Sequence, residues 1–76
     1  MIGKTDGSDE MQSKYLATFL AVARTLNFGQ AARELNYSQS TVSEHVRLVE
    51  LELRIRLFER LGRKIFLTAQ GERLVS

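Results

Sequence analysis

Residues 38–47 read Ser-Gln-Ser-Thr-Val-Ser-Glu-His-Val-Arg, an unusual density of short hydrogen-bonding groups. Gln39 carries an amide that matches the paired donor and acceptor of an adenine edge. Ser40 and Ser43 are short donors and acceptors, and Thr41 offers a methyl or a hydroxyl. Glu44 accepts only, which suits a cytosine amino group and repels phosphate. Arg47 is long enough to reach a backbone phosphate. Further on, Arg54, Arg56, Arg60, Arg63 and Lys64 crowd together with only Glu59 against them. These are the residue types of base-edge readout beside anion binding. The plainer alternative is a solvated helix face next to a solvated basic patch.

Catalytic chemistry fails on inventory. The chain has no Cys and a single His, so it holds neither a thiolate nucleophile nor a His-based metal cage. Glu44 precedes His45 directly, and adjacent helix residues do not face each other. No phosphate-cradling glycine loop and no metalloprotease motif occurs. The sequence therefore offers no catalytic residue, no metal site and no cofactor. His45 reads as a surface or partly packed side chain.

The elements that must position these groups follow from periodicity. Leu16, Phe19, Leu20, Ala23 and Leu26 form one helical stripe, which predicts a first helix over 14–26 with Ser13 as N-cap. Residues 27–29 read as a connector and 30–35 as a short helix, with Ala31, Ala32 and Leu35 on its apolar face. Asn36 breaks it, because asparagine tolerates the left-handed conformation at helix ends. Ser38 is the expected N-cap of a third helix over 39–53, whose stripe is Val42, Val46, Val49 and Leu53. Leu61-Gly62 signals a turn. Ile65 and Leu67 alternate with Lys64 and Phe66, so two short strands around 60–63 make a hairpin. Thr68 caps a last helix from Ala69 onward.

A short helix joined tightly to a longer amphipathic one is helix-turn-helix geometry. The expected fold is thus mainly α: a winged helix-turn-helix of three helices, a two-stranded β-hairpin wing and the start of a fourth helix. In such a fold the third helix turns its polar face outward at a width that fits the major groove. The 76 residues allow one small domain. Residues 1–13 carry net −2 and residues 14–76 net +4, a balance that permits a nucleic-acid partner without demanding one. No apolar run is long enough to span a membrane. Residues 1–12, rich in Gly, Ser, Asp and Lys, read as a disordered leader, with Met11 a candidate natural start and the ten residues before it an added segment. The domain proper is expected at 13–68, and residues 69–76 as the truncated start of a further helix.

The stretch Phe28-Gly29-Gln30-Ala31-Ala32-Arg33-Glu34-Leu35-Asn36-Tyr37-Ser38-Gln39-Ser40-Thr41-Val42-Ser43, with Leu57-Phe58-Glu59-Arg60 and Leu67-Thr68-Ala69-Gln70-Gly71, resembles the N-terminal DNA-binding domain of LysR-type transcriptional regulators. The resemblance covers residues 14–76, and the combination of motifs at these spacings is what makes it specific. It implies a bacterial, cytoplasmic regulator acting at the nucleoid, with double-stranded operator DNA as partner. It also implies a linker helix that pairs subunits and, beyond it, an effector domain absent from this chain. Gln39, Ser40 and Ser43 match the family's base-facing positions, and Arg63 matches its minor-groove wing residue. Two residues depart from the family pattern: Glu44, where Arg or Gln is frequent, and Arg54, where Gly is usual.

The expected function is sequence-specific DNA binding for transcriptional regulation. Gln39, Ser40, Thr41, Ser43 and Glu44 are the base-reading set. Ser38, Arg47, Arg60, Arg63 and Lys64 are the backbone or minor-groove set. Self-association is expected to be weak or absent in this chain, with dimers favoured on a two-fold DNA site. The alternative is a winged-helix protein-interaction module docking through Leu51 and Phe66, which fall off the buried faces.

Overall fold

The computed structural model describes the backbone over residues 2–75 and the side chains over 13–75. Helix α1 spans Ile2–Thr25, α2 Phe28–Leu35 and α3 Gln39–Leu53. Strands β1 (Phe58–Leu61) and β2 (Lys64–Leu67) follow, then α4 (Ala69–Val75). The mainly helical fold with a hairpin wing agrees with the sequence reading, and α3 has the expected bounds.

Four local expectations are corrected. Helix α1 begins at Ile2, so the backbone is helical where an irregular leader is expected and Ser13 is interior rather than a cap. No proline interrupts that segment, and a helix once nucleated gains a hydrogen bond with each added residue. At its other end Leu26 leaves the helix at φ 51°. The second correction is the phase of α1. Leu16, Leu20 and Leu26 are exposed, whereas Thr18, Phe19, Ala21 and Val22 are buried, with Tyr15 packed beside them. The apolar arc of α1 is wider than the surface α2 and α3 can cover, so its leucine edge faces outward. Third, α2 starts two residues early. Asn27 is its N-cap, its side chain accepting from the Gln30 amide at 2.9 Å, so the connector is shorter than expected. Fourth, the last member of the α3 stripe, Leu53, is exposed because the helix ends there.

The core lies where α1, α2 and α3 meet the base of the hairpin. Phe19, Val22, Val42 and Leu57 are fully buried, with Ala31, Ala32, Val46, Val49 and Phe58 around them. The two alanines give α2 a flat face, which lets its neighbours approach closely. Phe58 packs against the rings of Phe19 and Phe28, tying β1 to α1 and α2. Fully burying side chains of this size contributes about 1.5–3 kcal/mol each, which is what a small domain has to set against chain entropy.

The hairpin is antiparallel, with Phe58 opposite Leu67 and Leu61 opposite Lys64. Only Gly62 and Arg63 remain between the strands. Gly62 adopts φ 63°, the positive angle that a tight two-residue turn needs at its first position. Thr68 caps α4 as expected, its hydroxyl accepting from the Gly71 amide at 3.0 Å.

Candidate nucleic-acid interface

The turn between α2 and α3 fixes how α3 is presented. Asn36 takes the left-handed conformation (φ 61°), and its amide closes α2 onto the carbonyls of Ala32 and Arg33. Two residues later Ser38 caps α3, its Oγ accepting from the Thr41 amide at 3.1 Å and donating to the Thr41 hydroxyl at 2.9 Å. Ser40 Oγ stands 3.2 Å from Ser38 Oγ. The cap residue is therefore engaged inside the protein, and it orders the first turn of α3. The amides of Gln39 and Ser40 stand in that turn, where no intrahelical acceptor precedes them, a position that favours anions.

Val42, Val46 and Val49 hold the buried side of α3 against the core. The other side carries Gln39, Ser40, Glu44, Arg47 and Leu51, all exposed. Of the expected base-reading set, Gln39, Ser40 and Glu44 are thus free to project. Ser43 is half-buried on the flank. Thr41 is half-buried too, and its hydroxyl is taken by Ser38. Glu44 and Arg47 grip each other: Arg47 Nη2 donates to Glu44 Oε2 at 2.7 Å and Nε to Oε1 at 3.3 Å. That bond holds the Glu44 carboxyl below the usual carboxylate range, and the carboxylate in turn raises Arg47.

The wing brings its bases to the start of α3. A groove of about 290 Å³ opens between the hairpin turn and the N-termini of α2 and α3. Gln39, Arg60, Arg63 and Lys64 line it, beside Asn27 and Gly29. Four expected contact residues, from two stretches over twenty residues apart, therefore share one concave polar surface. Arg60 is not at the turn but on β1, its guanidinium 5.5 Å from the centre of the Phe28 ring. This cation–π contact locks the wing to α2 and leaves Arg63 and Lys64 as the wing's forward charges.

Some positioning residues escaped the sequence reading. Glu50 Oε2 accepts from the Leu57 amide at 2.8 Å and so pins the start of the hairpin to α3. Thr18, fully buried, meets His45 Nδ1 at 2.9 Å and ties α1 to α3. Arg24 on α1 pairs with Glu34 on α2. Leu51 and Phe66 are exposed, as their places off the buried faces predict. Among the described residues there is no group of three or more metal-ligating side chains, and no helix is long and apolar enough to cross a membrane.

Comparison with known proteins places this geometry. The model of the family described as bacterial regulatory helix-turn-helix protein, lysR family, matches residues 13–72. The chain is 46% identical over 65 residues to the HTH-type transcriptional regulator HdfR of Escherichia coli, covering 86% of this chain and 23% of that protein. It is 42% identical over 62 residues to the HTH-type transcriptional regulator YwqM of Bacillus subtilis, covering 82% of this chain and 21% of the relative. The chain thus spans between a fifth and a quarter of the length of these curated relatives. Among solved structures, the CbnR_DBD–DNA complex aligns with a TM-score of 0.77 at 35% identity, over 82% of this chain and 71% of that one.

Proposed function

The chain belongs to the lysR family of bacterial regulatory helix-turn-helix proteins, and from that premise we propose that it binds duplex DNA sequence-specifically as the reading head of a transcriptional regulator. Helix α3 lies in the major groove and the wing rests on the adjoining backbone or minor groove. Gln39, Ser40 and Glu44 read base edges directly. Ser43 and Thr41 contribute from the flanks, Thr41 through its methyl. Arg47, Arg63 and Lys64 meet phosphates or the minor groove. Arg60 holds the wing's angle, and Ser38 sets the first turn of α3.

The observation that carries this reading is the shared groove of Gln39, Arg60, Arg63 and Lys64 beside the exposed face of α3. It puts a hydrogen-bonding amide beside three cations, the two kinds of group that base readout and phosphate contact use. The reading takes residues 13–68 as the DNA-binding unit and residue 69 onward as the start of a subunit-pairing linker helix. It makes the protein a cytoplasmic, non-enzymatic regulator.

An amide chemical-shift titration with a mixed-sequence duplex at two salt concentrations tests it. The expected shifts fall at residues 38–47 and 60–65 and weaken steeply with salt, because bound cations release counterions from the DNA. A folded sample giving no shifts at low salt would overturn the proposal.

A further inference from the structure

Arg47 and Glu44 sit one turn apart on the most exposed side of α3, and each is spent on the other. Two guanidinium nitrogens, Nη2 at 2.7 Å and Nε at 3.3 Å, close on the two oxygens of one carboxylate. In that state the side edge of the Arg47 guanidinium is filled, with Nε and Nη2 each on a Glu44 oxygen, and its charge is offset. A phosphate gains that bidentate edge and the uncompensated charge only by displacing Glu44. The released carboxylate then faces DNA, where it is repelled unless a base supplies a donor. Cytosine N4 and adenine N6 are the major-groove donors; guanine and thymine present acceptors there. An exposed pair of this kind is weak enough to exchange.

We propose that the Glu44–Arg47 pair is a specificity latch: the base beneath Glu44 decides whether Arg47 is released to the backbone. Over a base with an amino group, Glu44 swings to that group and Arg47 takes the phosphate, so one base contact brings a second, electrostatic one with it. Over other bases the latch stays closed and the chain forgoes that contact. Glu44 is thereby a specificity-determining residue whose effect passes through Arg47. The latch rests on the DNA-binding reading above and adds to it a coupling between readout and affinity.

A double-mutant cycle tests the coupling. The 76-residue chain, Glu44→Gln, Arg47→Ala and the double variant are titrated with a randomised-sequence duplex pool, and log K is followed against log salt. Both side chains are more than half exposed, so the fold tolerates the changes. Glu44→Gln should bind the pool more tightly and with a steeper slope. Arg47→Ala should flatten the slope more in the Glu44→Gln background than in the native chain, by up to about half of the 0.9 of one phosphate contact, because C or A stands beneath Glu44 in about half of the pool and there the native latch is already open. Across a fourfold change in salt that increment is up to about twofold in affinity. Sequences selected from the pool by the native chain should favour C or A at one position, and Glu44→Ala, which removes every acceptor there, should lose the preference. Equal effects of Arg47→Ala in both backgrounds, or equal preferences with and without Glu44, would overturn the latch. Absence of any salt-dependent binding by the native chain would instead overturn the DNA-binding reading itself.

Discussion

Gly71 shows how narrowly single residues are set in this chain. It is buried in α4, and a Cβ built there would lie 2.6 Å from the Leu57 carbonyl oxygen and 2.8 Å from Leu67 Cδ2. Alanine is the better helix former by about 1 kcal/mol, but a backbone carbonyl cannot step aside as a flexible side chain can. Gly71→Ala should therefore destabilise the fold by about 1–3 kcal/mol, the usual cost of overpacking. A urea midpoint no lower than that of the native chain would show that α4 can lift off the hairpin without loss. The resemblance names this glycine, but its reason is spatial and no local pattern reveals it. The same holds for Glu50, which looks like one more surface carboxylate until the Leu57 amide is found on it. Thr18 likewise lies outside the apolar stripe of its helix, and only the fold brings it to His45.

At the scale of elements, the end of α3 decides where the wing begins. Arg54 occupies the left-handed region at φ 59°, ψ 40°, with its amide on the Glu50 carbonyl, and the Ile55 amide reaches the same carbonyl at 3.2 Å. This is the helix ending that glycine makes without strain, so the departure from the family's usual Gly changes the strain and leaves the kind of turn intact. Arg54→Gly should relieve that strain and raise stability by about 1 kcal/mol, read as a higher denaturation midpoint. A lower midpoint would mean that the Arg54 side chain supports the fold through contacts of its own. The caps and turns at Asn36, Ser38, Gly62 and Thr68 were legible because each solves a local backbone problem that the sequence states within three or four residues, unlike the α1 start expected at Ser13 and the cap at Asn27. So was α3, where four-residue and three-residue spacings leave one apolar face. The phase of α1 was not, because leucine recurs all round its apolar arc and the partner surface alone decides which part is covered. Within the proposed site, residue types were legible and pairings were not. Nothing in the sequence says that Arg60 lies over Phe28 or that Arg47 is held by Glu44.

For the molecule as a whole, the joint between α1 and α3 carries more weight than its few atoms suggest, because a core this small leaves little stability in reserve. His45 is the centre of that joint. Its ring packs 4.8 Å from Tyr15 on α1 and 5.1 Å from Tyr37 in the turn that launches α3. Thr18 makes both of its contacts at once by donating to the Lys14 carbonyl and accepting from His45 Nδ1–H, which leaves Nε2 as the nitrogen that titrates. Burial among these rings, with the positive charge of Lys14 acting in the same sense, pushes the imidazole below its ordinary value of 6.5; Glu44 opposes them more weakly. A depressed imidazole means that the fold prefers His45 neutral. Above 6.5 both folded and unfolded chains hold it neutral, and its contribution is intact. As pH falls through 6.5 the unfolded chain takes up the proton first, so stability drops with pH. Chemical denaturation at about pH 7.5 and about pH 5.5, a range in which ordinary carboxylates stay ionised, should give a lower midpoint on the acid side. His45→Gln should remove that difference while keeping a side chain able to bond Thr18. Equal midpoints at the two pH values in the native chain would mean that His45 titrates alike in the folded and unfolded states. The α1–α3 joint would then be insensitive to acid, and α3 would keep its seat at every pH where the core survives.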